Sequence, residues 1–476
     1  MTDPDLPVPA DAGRSWWLRE ALALPEFMGE PAPPLAEDTT ADVVILGGGY
    51  TGLWTALHLK ELDPGADVVI VEQDICGGGP SGRNGGFVSS FWEDLPYLAR
   101  EFGDEMALRI CRVGDESVAA IGAFCEEHGI DAWFRNDGSL GLATSQTQVG
   151  AWGDLVIAAD RLGVGDDLEV LDGAAARARL HSPVVAGGVF IRHGATIHPA
   201  RLVRSMRRVA MERGVRIYEG SPVTRFGAGS PSVAETPGGA VRAGAAVMAL
   251  NAWSAHLKRF RRAITVRGSY IVMTAPAPDE LEALGWTDGS GVSDYRAALH
   301  YLRTTPDGRI AFGIGGMQPN LARSIGPRFA YDEHAIRVAI ADLHRMLPSF
   351  RDVPIDAGWG GPIDVSGAHL PFFGTFENGA VHYGLGYTGN GVGPAHFGGR
   401  ILALRALGRY EDVLGLPFVD ADPLRFPPEP IRSPGALIAN TAIRRKDEFE
   451  DRGQEPNPLV DFVARLPRRL GYHLGP

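Results

Sequence analysis

The stretch VVILGGGYTGLWTALHLKELDPGADVVIVE, residues 43–72, predicts how the fold begins. Its apolar run Val43–Leu46 has the length of a buried strand and ends on a turn with glycines spaced G-x-G-x-x-G. Residues 51–62 then change to a helical period, which Pro-Gly ends. A second apolar run, Val68–Val71, ends on the acid Glu72. Strand, turn, helix and strand in this order predict a βαβ unit.

Each part of this unit suits a dinucleotide. Gly47 allows the tight turn, Gly49 lets a pyrophosphate approach the backbone, and Gly52 lets the helix lie close to the sheet. The helix N-terminus offers unpaired N–H groups to the phosphates. Glu72 follows at the distance where a carboxylate can bind a ribose hydroxyl. In an ordinary βαβ unit that binds no ligand, Glu72 would have no evident role. A carboxylate here suits a free ribose 2′-hydroxyl better than a phosphate, so it favours FAD or NAD over NADP.

A second loop rich in small residues favours FAD over NAD. It is CGGGPSGRNGGF, residues 76–87, and its polar side chains Ser81, Arg83 and Asn84 can reach a diphosphate or a flavin edge. NAD-binding domains usually continue directly into further βα units. A flavin dinucleotide is wrapped from several segments because its ring lies far from its adenine.

A third glycine-rich turn lies near the other end of the chain. Residues 386–393 follow an apolar strand and precede an apolar helix, so the positive end of the helix can face a flavin ring. There it would stabilise the anion that forms when a flavin accepts hydride. Thr388 and Asn390 are candidate hydrogen-bond partners of the ring edge. The alternative is a plain helix cap at Asn390.

Composition bounds the class of protein. A chain of 476 residues exceeds one typical core, so two associated domains are expected. The net charge of −13 argues against nucleic acid or an anionic membrane as partner, and no apolar run is long enough to span a bilayer. The N-terminus lacks the pattern of a secretion signal, and three cysteines form neither a disulfide framework nor a metal spacing. We expect a cytoplasmic protein, a monomer or small homo-oligomer, without metal.

The expected fold class is α/β, or α+β overall. A Rossmann-like FAD-binding domain is interleaved with a substrate domain built on an antiparallel sheet. The predicted divisions are an N-terminal arm at 1–40, the FAD-binding domain at 41–95, 185–262 and 355–420, the substrate or lid domain at 96–184 and 263–354, and a peripheral tail at 421–476.

The chain resembles the glycine oxidase/D-amino-acid oxidase family of FAD-dependent oxidoreductases, and within it the branch of γ-glutamylputrescine oxidases. The matching segments are VVILGGGYTGLWTALHL, GPSGRNGGFV, GATIHPARL, ALNAW, WGGPIDVSGAHLPFFG and GYTGNGVGPAHFGGRILA, which together cover most of residues 40–410. The first, second and last are specific as a set. The resemblance implies an FAD domain, a substrate domain, and oxidation of a C–N bond by hydride transfer to flavin N5.

The resemblance also implies cofactor-binding residues. The ADP part would be held by the first turn and Glu72, the diphosphate and flavin edge by the second loop, adenine by the backbone of Val223, and the isoalloxazine by the third turn. The residues expected to bind FAD are Gly47, Gly49, Tyr50, Thr51, Gly52, Glu72, Gln73, Gly79, Ser81, Gly82, Arg83, Asn84, Gly85, Gly86, Val223, Asn251, Trp253, Gly389, Asn390, Gly391 and Val392.

Departures from the family pattern bear on substrate and oxidant. Where amino-acid oxidases of this family clamp the substrate carboxylate with arginine, this chain has Ile363, with Asp364 beside it, which favours an amine substrate. Arg296 and Arg303 in the lid can substitute. The sarcosine-oxidase branch has a lysine near the flavin, and this chain has Ala311 at that position. The compound that reoxidises the flavin can therefore be oxygen or another electron acceptor.

We expect non-covalent FAD, since no cysteine lies where that branch attaches it. Cys76 in the second loop is more simply a small buried residue.

Hydride leaves a carbon next to nitrogen only when the amine is neutral, and a dry pocket helps by lowering the pKa of the ammonium. No acid–base pair is evident in the sequence. The candidate residues around substrate and flavin are His198, which can equally cap a helix, and Tyr270, Tyr301 and Asn390. Two of five aromatic residues are expected to form a wall of the site: Trp92, Trp253, Tyr270, Tyr301 and Tyr387.

The leading hypothesis is FAD-dependent oxidation of a primary or secondary amine to an imine and then an aldehyde. One alternative is an oxidase or dehydrogenase of the same family that acts on an aminophosphonate or an amino acid, with Arg296 and Arg303 holding the phosphonate or carboxylate of the substrate. Another is a non-catalytic binding protein that keeps the fold. An NAD-dependent dehydrogenase is a third class.

Overall fold

The computed structural model describes residues 6–319, 325–376 and 378–473, with no side chains at 317–319. The strands are β1 Thr39–Leu46, β2 Val68–Val71, β3 Phe87–Val88, β4 Ser139–Ala143, β5 Leu168–Leu171, β6 Gly187–Ile191, β7 Ala195–Thr196, β8 Arg216–Tyr218, β9 Arg225–Gly227, β10 Ser232–Thr236, β11 Gly239–Met248, β12 Ile264–Thr274, β13 Gly291–Asp294, β14 His300–Thr304, β15 Ile310–Pro319, β16 Ile355–Ser366, β17 Phe372–Thr375 and β18 Val381–Leu385.

The helices pack against one face of the first sheet and against parts of the second. They are α1 Trp16–Leu22, α2 Pro25–Met28, α3 Tyr50–Leu62, α4 Leu95–Phe102, α5 Asp104–Glu127, α6 Gly153–Arg161, α7 Gly173–Arg179, α8 Pro199–Glu212, α9 Pro278–Ala283, α10 Glu333–Met346, α11 Pro394–Leu407, α12 Arg432–Asp451 and α13 Pro458–Arg469. Within the described ranges, none of them has the length and apolar composition needed to cross a membrane.

The first sheet is built on parallel strands and contains the predicted βαβ unit. Its main order is β17-β18-β11-β1-β2-β8, and β1 pairs in parallel with both β2 and β11. The last four residues of β1 and all of β2 are buried, because helices cover one face of these strands and the segment 252–266 covers the other. Only β11 lies between β1 and β18, so the turns after these two strands emerge at the same sheet edge.

The second sheet is mostly antiparallel, as predicted for the lid. Its order is β16-β12-β15-β14-β13-β4-β6-β5, and in the described residues only the β13–β4 pair is parallel. This combination of a parallel, helix-covered sheet with a second antiparallel sheet confirms the predicted fold class.

Two predicted domain boundaries are wrong in detail. Residues 185–262 and 355–420 were expected to belong wholly to the FAD domain, but β6 pairs with β4 and β5, and β16 pairs with β12. Both strands therefore belong to the second sheet. Apolar periodicity identifies a strand, but it does not tell which of two sheets the strand joins.

The N-terminal arm packs on the body, as predicted. Trp17 is completely buried, and Ser15 Oγ donates a hydrogen bond of 2.5 Å to the carbonyl oxygen of Gly82 in the second glycine-rich loop. The Arg14 guanidinium makes two hydrogen bonds to the Asp74 carboxylate, at 2.6 and 2.8 Å. The arm thereby supports this loop from outside.

The C-terminal region is not the peripheral tail that its proline and charge content suggested. It forms α12 and α13, and α12 is attached to the second sheet by Asp447, which accepts a hydrogen bond from the Ala298 backbone N–H at 2.9 Å. After α13, the His473 backbone N–H donates to the Gly367 carbonyl oxygen at 2.9 Å. Charged side chains here make tertiary contacts that composition does not reveal.

Helices α3 and α11, which begin at the two strand-end turns, pack closely at Gly399. A Cβ at this position would lie 2.5 Å from Trp54 Cβ and 2.7 Å from the Trp54 carbonyl carbon. We expect Gly399→Ala to lower the free energy of unfolding by about 1–3 kcal/mol because the helices must separate.

Urea unfolding measures this effect. Gly435→Ala, in the first turn of α12 with nothing within 4 Å of its Cβ position, is the matched control and should stabilise by about 1 kcal/mol at most. Equal stability of Gly399→Ala and wild type would contradict the close packing.

Candidate functional site

A cavity of about 980 Å³ lies between the second sheet, the turn after β18 and the C-terminal helices. Side chains alternate across a strand, and the lining follows that alternation. The lining residues from the two neighbouring strands include Thr265, Arg267, Ser269 and Ile271 of β12 and Gly361, Ile363 and Val365 of β16. One face of this sheet is therefore a wall of the cavity.

The third glycine turn forms another wall. Thr388, Gly389, Asn390 and Val392 line the cavity, and Gly389 has a φ of +91°, which a side chain would strain. A Cβ at Gly389 would lie 3.7 Å from Ile363 Cδ1. The turn predicted to face the flavin ring thus meets the sheet at the position where the family's arginine is missing.

Asp364 holds this turn against the second sheet. Its Oδ2 accepts a hydrogen bond from the Gly386 N–H at 2.6 Å, and its Oδ1 accepts one from Asn251 Nδ2 at 2.9 Å. The Thr388 N–H also donates to the Asp364 carbonyl oxygen at 3.0 Å. Burial raises the pKa of this carboxyl to about 7, although the hydrogen bonds oppose the shift.

The first and third turns are adjacent. Thr51 Oγ1, in the first turn of α3, donates a hydrogen bond of 3.0 Å to Tyr387 Oη. The two strand ends are separated only by β11, so this contact is the expected result of the strand order. One dinucleotide can therefore reach both turns.

The first turn packs closely at the positions of its glycines. A Cβ at Gly52 would lie 2.0 Å from the Gly47 carbonyl oxygen, and a Cβ at Gly49 would lie 2.9 Å from Ser81 Oγ. Ser81 Oγ also accepts a hydrogen bond from the Tyr50 N–H at 2.9 Å. Only glycine fits at these points, and the resulting cradle suits the pyrophosphate of FAD.

The acid at the end of β2 is placed for a ribose. The Glu72 carboxylate accepts hydrogen bonds from the Gly48 N–H at 2.8 Å and the Asp74 N–H at 2.9 Å, and burial raises its pKa. Gln73 beside it is exposed, and Val223 packs at the margin of the first sheet's core. None of these three residues belongs to the cavity lining in the described part of the chain.

The second loop lines part of the cavity. Arg83 Nε donates to the Gly78 carbonyl oxygen at 2.9 Å, and the Gly86 N–H donates to Asn84 Oδ1 at 2.7 Å. Arg83, Asn84 and Gly85 line the cavity, while Gly82 is buried under the arm. The other two guanidinium nitrogens of Arg83 donate to the carbonyl oxygens of Gly360 and Gly13, no carboxylate contacts it among the described residues, and burial lowers its pKa.

Several predicted substrate residues lie elsewhere. His198 caps α8, its Nδ1 accepting from the Arg201 N–H at 3.1 Å, and its Nε2 lies 2.9 Å from Glu20 Oε2. Burial lowers the pKa of His198 to about 4. The Tyr270 hydroxyl donates to the Arg328 carbonyl oxygen at 2.7 Å, and the ring is fully buried. Neither residue belongs to the described cavity lining, and the contacts of His198 are those of the helix cap that the sequence offered as the alternative.

The predicted aromatic wall consists of two residues. Trp92 and Tyr301 line the cavity, whereas Trp253 and Tyr387 do not belong to the lining in the described part of the chain. Tyr301 Oη is 2.7 Å from Ser269 Oγ, and its ring meets Phe87 edge-on with centroids 5.7 Å apart. These contacts fix the orientation of the Tyr301 ring.

The two lid arginines are already engaged. Arg303 is fully buried, donates to the Ile197 and Gly86 carbonyl oxygens, and has its pKa lowered to about 9 by burial. Arg296 lines the cavity but lies 3.3 Å from the Asp451 carboxylate. The suggestion that these two side chains hold an acidic substrate group is therefore not supported by their contacts.

Two cavity residues were missed from the sequence. Glu93, in the segment after the second loop, is the one carboxylate in the lining formed by the described residues, and Arg267 lies directly opposite Ile363 in the β12–β16 register. The acid is adjacent to Trp92, which was predicted to surround the flavin. No local signal marks Arg267, because its position depends on which strands pair.

The Asp364 contacts predict a pH-dependent stability. The folded-state pKa of about 7 lies above the ordinary 3.8, so the folded protein binds the proton more tightly. The contribution to stability is full below about pH 4 and is lost as pH rises through about 7. Asp364→Asn should lose this dependence and lower the free energy of unfolding by about 1–3 kcal/mol, because one N–H loses its acceptor.

Urea unfolding at several pH values from 4 to 8 tests this, with the exposed Asp166→Asn as control. Identical pH dependence in wild type and Asp364→Asn would show that another group titrates.

Comparisons with known proteins agree with this geometry. Residues 42–405 match the family described as FAD dependent oxidoreductase, abbreviated DAO. γ-Glutamylputrescine oxidoreductase of Escherichia coli strain K12 is 30% identical over 377 residues, 78% of this chain and 85% of that protein. A probable oxidoreductase OrdL of Rhizobium meliloti strain 1021 is 29% identical over 411 residues, 84% of this chain and 90% of that protein.

Among solved structures, glycine oxidase from Geobacillus kaustophilus shares the fold with a TM-score of 0.64 at 21% identity, covering 81% of this chain and 100% of that one. The resemblance drawn from the glycine turns is confirmed, and with it the cofactor FAD. The chain belongs to the DAO family of FAD-dependent oxidoreductases.

Proposed function

We propose that this enzyme oxidises an amine to an imine, which water hydrolyses to an aldehyde and ammonia or a smaller amine. The observation that carries the proposal is the cavity itself, which joins the third glycine turn to a sheet with isoleucine, not arginine, at position 363. The similarity to γ-glutamylputrescine oxidoreductase supports it. Bound FAD would supply the acceptor, at flavin N5, for the hydride that leaves the carbon next to nitrogen.

In this proposal the chain holds FAD without a covalent bond. The first turn and Glu72 bind the ADP part, the second loop binds the diphosphate and the ring edge, and Gly389–Val392 faces the ring. No cysteine belongs to the cavity lining in the described part of the chain, and Cys76 is fully buried.

Glu93 supplies the proton acceptor that the sequence did not reveal. Its side chain opens into the cavity and has no hydrogen-bond or ion-pair partner among the described residues. Glu93 is exposed to the solvent in the cavity, but desolvation by the surrounding protein raises its pKa to about 7, and the neighbouring Asp94 adds to the shift. The ionised carboxylate takes a proton from the substrate ammonium, and the neutral amine can then release hydride.

The segment that precedes Glu93 meets the third turn, and Glu93 itself lies near a cavity tyrosine. The Ser89 carbonyl oxygen, four residues earlier, would lie 2.4 Å from a Cβ at Gly393, so this segment abuts the turn. Burial raises the pKa of Tyr295, and the charge of the nearby Glu93 adds to this shift. The carboxylate and the proposed ring site therefore open into the same space.

The first test is anaerobic mixing of the FAD-bound protein with primary and secondary amines, α-amino acids and aminophosphonates. We expect bleaching of the flavin absorbance by at least one amine, with formation of the corresponding aldehyde. Admission of air then shows whether oxygen or another electron acceptor reoxidises the flavin. The buried Ala311 leaves this choice open. A flavin that stays oxidised with every amine would overturn the proposal.

The second test concerns Glu93. In wild type, the rate of flavin reduction should rise with pH through an inflection near 7, because the carboxylate must be ionised to take the proton. Glu93→Gln should remove this inflection and slow reduction by about 100-fold at pH 7.5.

Glu101→Gln, an exposed acid on α4 beside Arg100, is the matched control and should behave as wild type. An unchanged pH profile in Glu93→Gln would exclude this carboxylate as the proton acceptor.

A further inference from the structure

The cavity is cationic, although the chain carries a net charge of −13. Among the described residues, eight Arg and Lys residues and one acid, Glu93, contribute to its lining. Some of these cations are neutralised locally, such as Arg296 by Asp451, Lys446 by Glu450 and Arg465 by Asp461. The remaining excess of positive charge faces the space where the substrate would lie.

Arg267 is the cation whose position is best defined. It lies on β12 directly opposite Ile363 on β16, so the two side chains share the face of the sheet that lines the cavity. Its Nη1 donates a hydrogen bond of 2.8 Å to Asn440 Oδ1 of α12. In the described ranges no carboxylate contacts this guanidinium, and burial lowers its pKa. A desolvated cation without a counter-ion is costly, and a bound anion would offset that cost.

The groups around Arg267 are themselves basic. Burial lowers the pKa of His369 to about 3, and His473, Arg267 and Arg468 add to the shift, so these side chains lie close together. All four line the cavity. One acid, Asp94, contacts this group, and its Oδ1 lies 3.2 Å from His473 Nε2. The cluster joins the second sheet to α13 and the residues after it, which lie beyond residue 405, where the family match ends.

The strand order sets the distance from the reacting end. β16 is the edge strand that meets the third turn, and β12 is its inner neighbour. Arg267 therefore lies one strand farther from that turn than Ile363, about 5 Å between Cβ positions. An anion held there is separated from the oxidised carbon by more bonds than the carboxylate of an α-amino acid.

We propose that Arg267, oriented by Asn440, binds an acidic group at the far end of the substrate. The preferred substrates are then amines that carry a carboxylate or phosphonate several carbons from the amine, such as ω-amino acids. This inference rests on the proposed amine oxidation. The C-terminal helices act as the specificity element, because α12 supplies the residue that orients the guanidinium and α13 adds Arg468 beside it.

The test compares three substrates of matched length on the FAD-bound enzyme: 5-aminopentanoate, 4-aminobutylphosphonate and pentylamine. Wild type should reduce its flavin with kcat/KM at least about tenfold higher for an acid-bearing amine than for pentylamine. Preference for the carboxylate or for the phosphonate identifies the acid. Arg267→Met should raise KM for the acid-bearing substrates by about 10- to 100-fold with little change in kcat, and leave pentylamine unaffected.

Two further variants and a binding measurement keep the result interpretable. Arg267→Lys should restore part of the loss, Asn440→Ala should show a smaller loss, and Arg225→Met, an exposed ion-pair residue on the first sheet, should match wild type. Pentanoate, which has no amine, should bind wild type and raise its thermal stability, but not that of Arg267→Met.

The outcomes separate the two proposals. Bleaching by pentylamine without any preference for acid-bearing amines, or pentanoate binding that is unchanged in Arg267→Met, overturns the anion site alone. Pentanoate binding that depends on Arg267, without bleaching by any amine, supports the anion site and overturns amine oxidation.

Discussion

The buried carboxylate of Asp364 connects the two halves of the molecule. It lies on the edge strand of the second sheet and accepts hydrogen bonds from Gly386 in the third glycine turn and from Asn251 after β11. Both donors belong to the first sheet, so the cavity wall and the turn are held in a fixed relation. A buried carboxyl is tolerated here because both oxygens have donors. Every distance across the proposed site depends on this junction.

The charges of the cavity are distributed in a way that suits an amine with a distant acid. Glu93 is on the segment that abuts the third turn, whereas Arg267 and its basic neighbours lie between β12 and the C-terminal helices. In the α-amino-acid oxidases that this chain resembles, an arginine is expected at the position of Ile363. A cation one strand farther from the third turn changes the length of the substrate that can reach both Glu93 and Arg267. The turn proposed to face the flavin is not altered.

The most accurate predictions from the sequence concerned local geometry. Gly52 and Gly389 are required by a close carbonyl contact and by a positive φ, respectively, and such requirements act within a few residues. The predictions for single side chains fared worse. His198 was a candidate near the substrate and is a helix cap, because a histidine before a proline-initiated helix suits both roles. Arg303 was a candidate anion ligand and instead donates to backbone carbonyls deep in the core.

The sequence by itself determined the βαβ unit, the glycine turns, the cofactor class and the presence of a second sheet, because periodicity and glycine conformation are encoded over short distances. Only the tertiary structure decided which residues surround the substrate space. Arg267 meets Ile363 through strand pairing across almost a hundred residues, and the C-terminal helices reach the cavity from outside residues 42–405, which match the family. Such contacts depend on strand order and helix docking, and these follow from the packing of the whole chain.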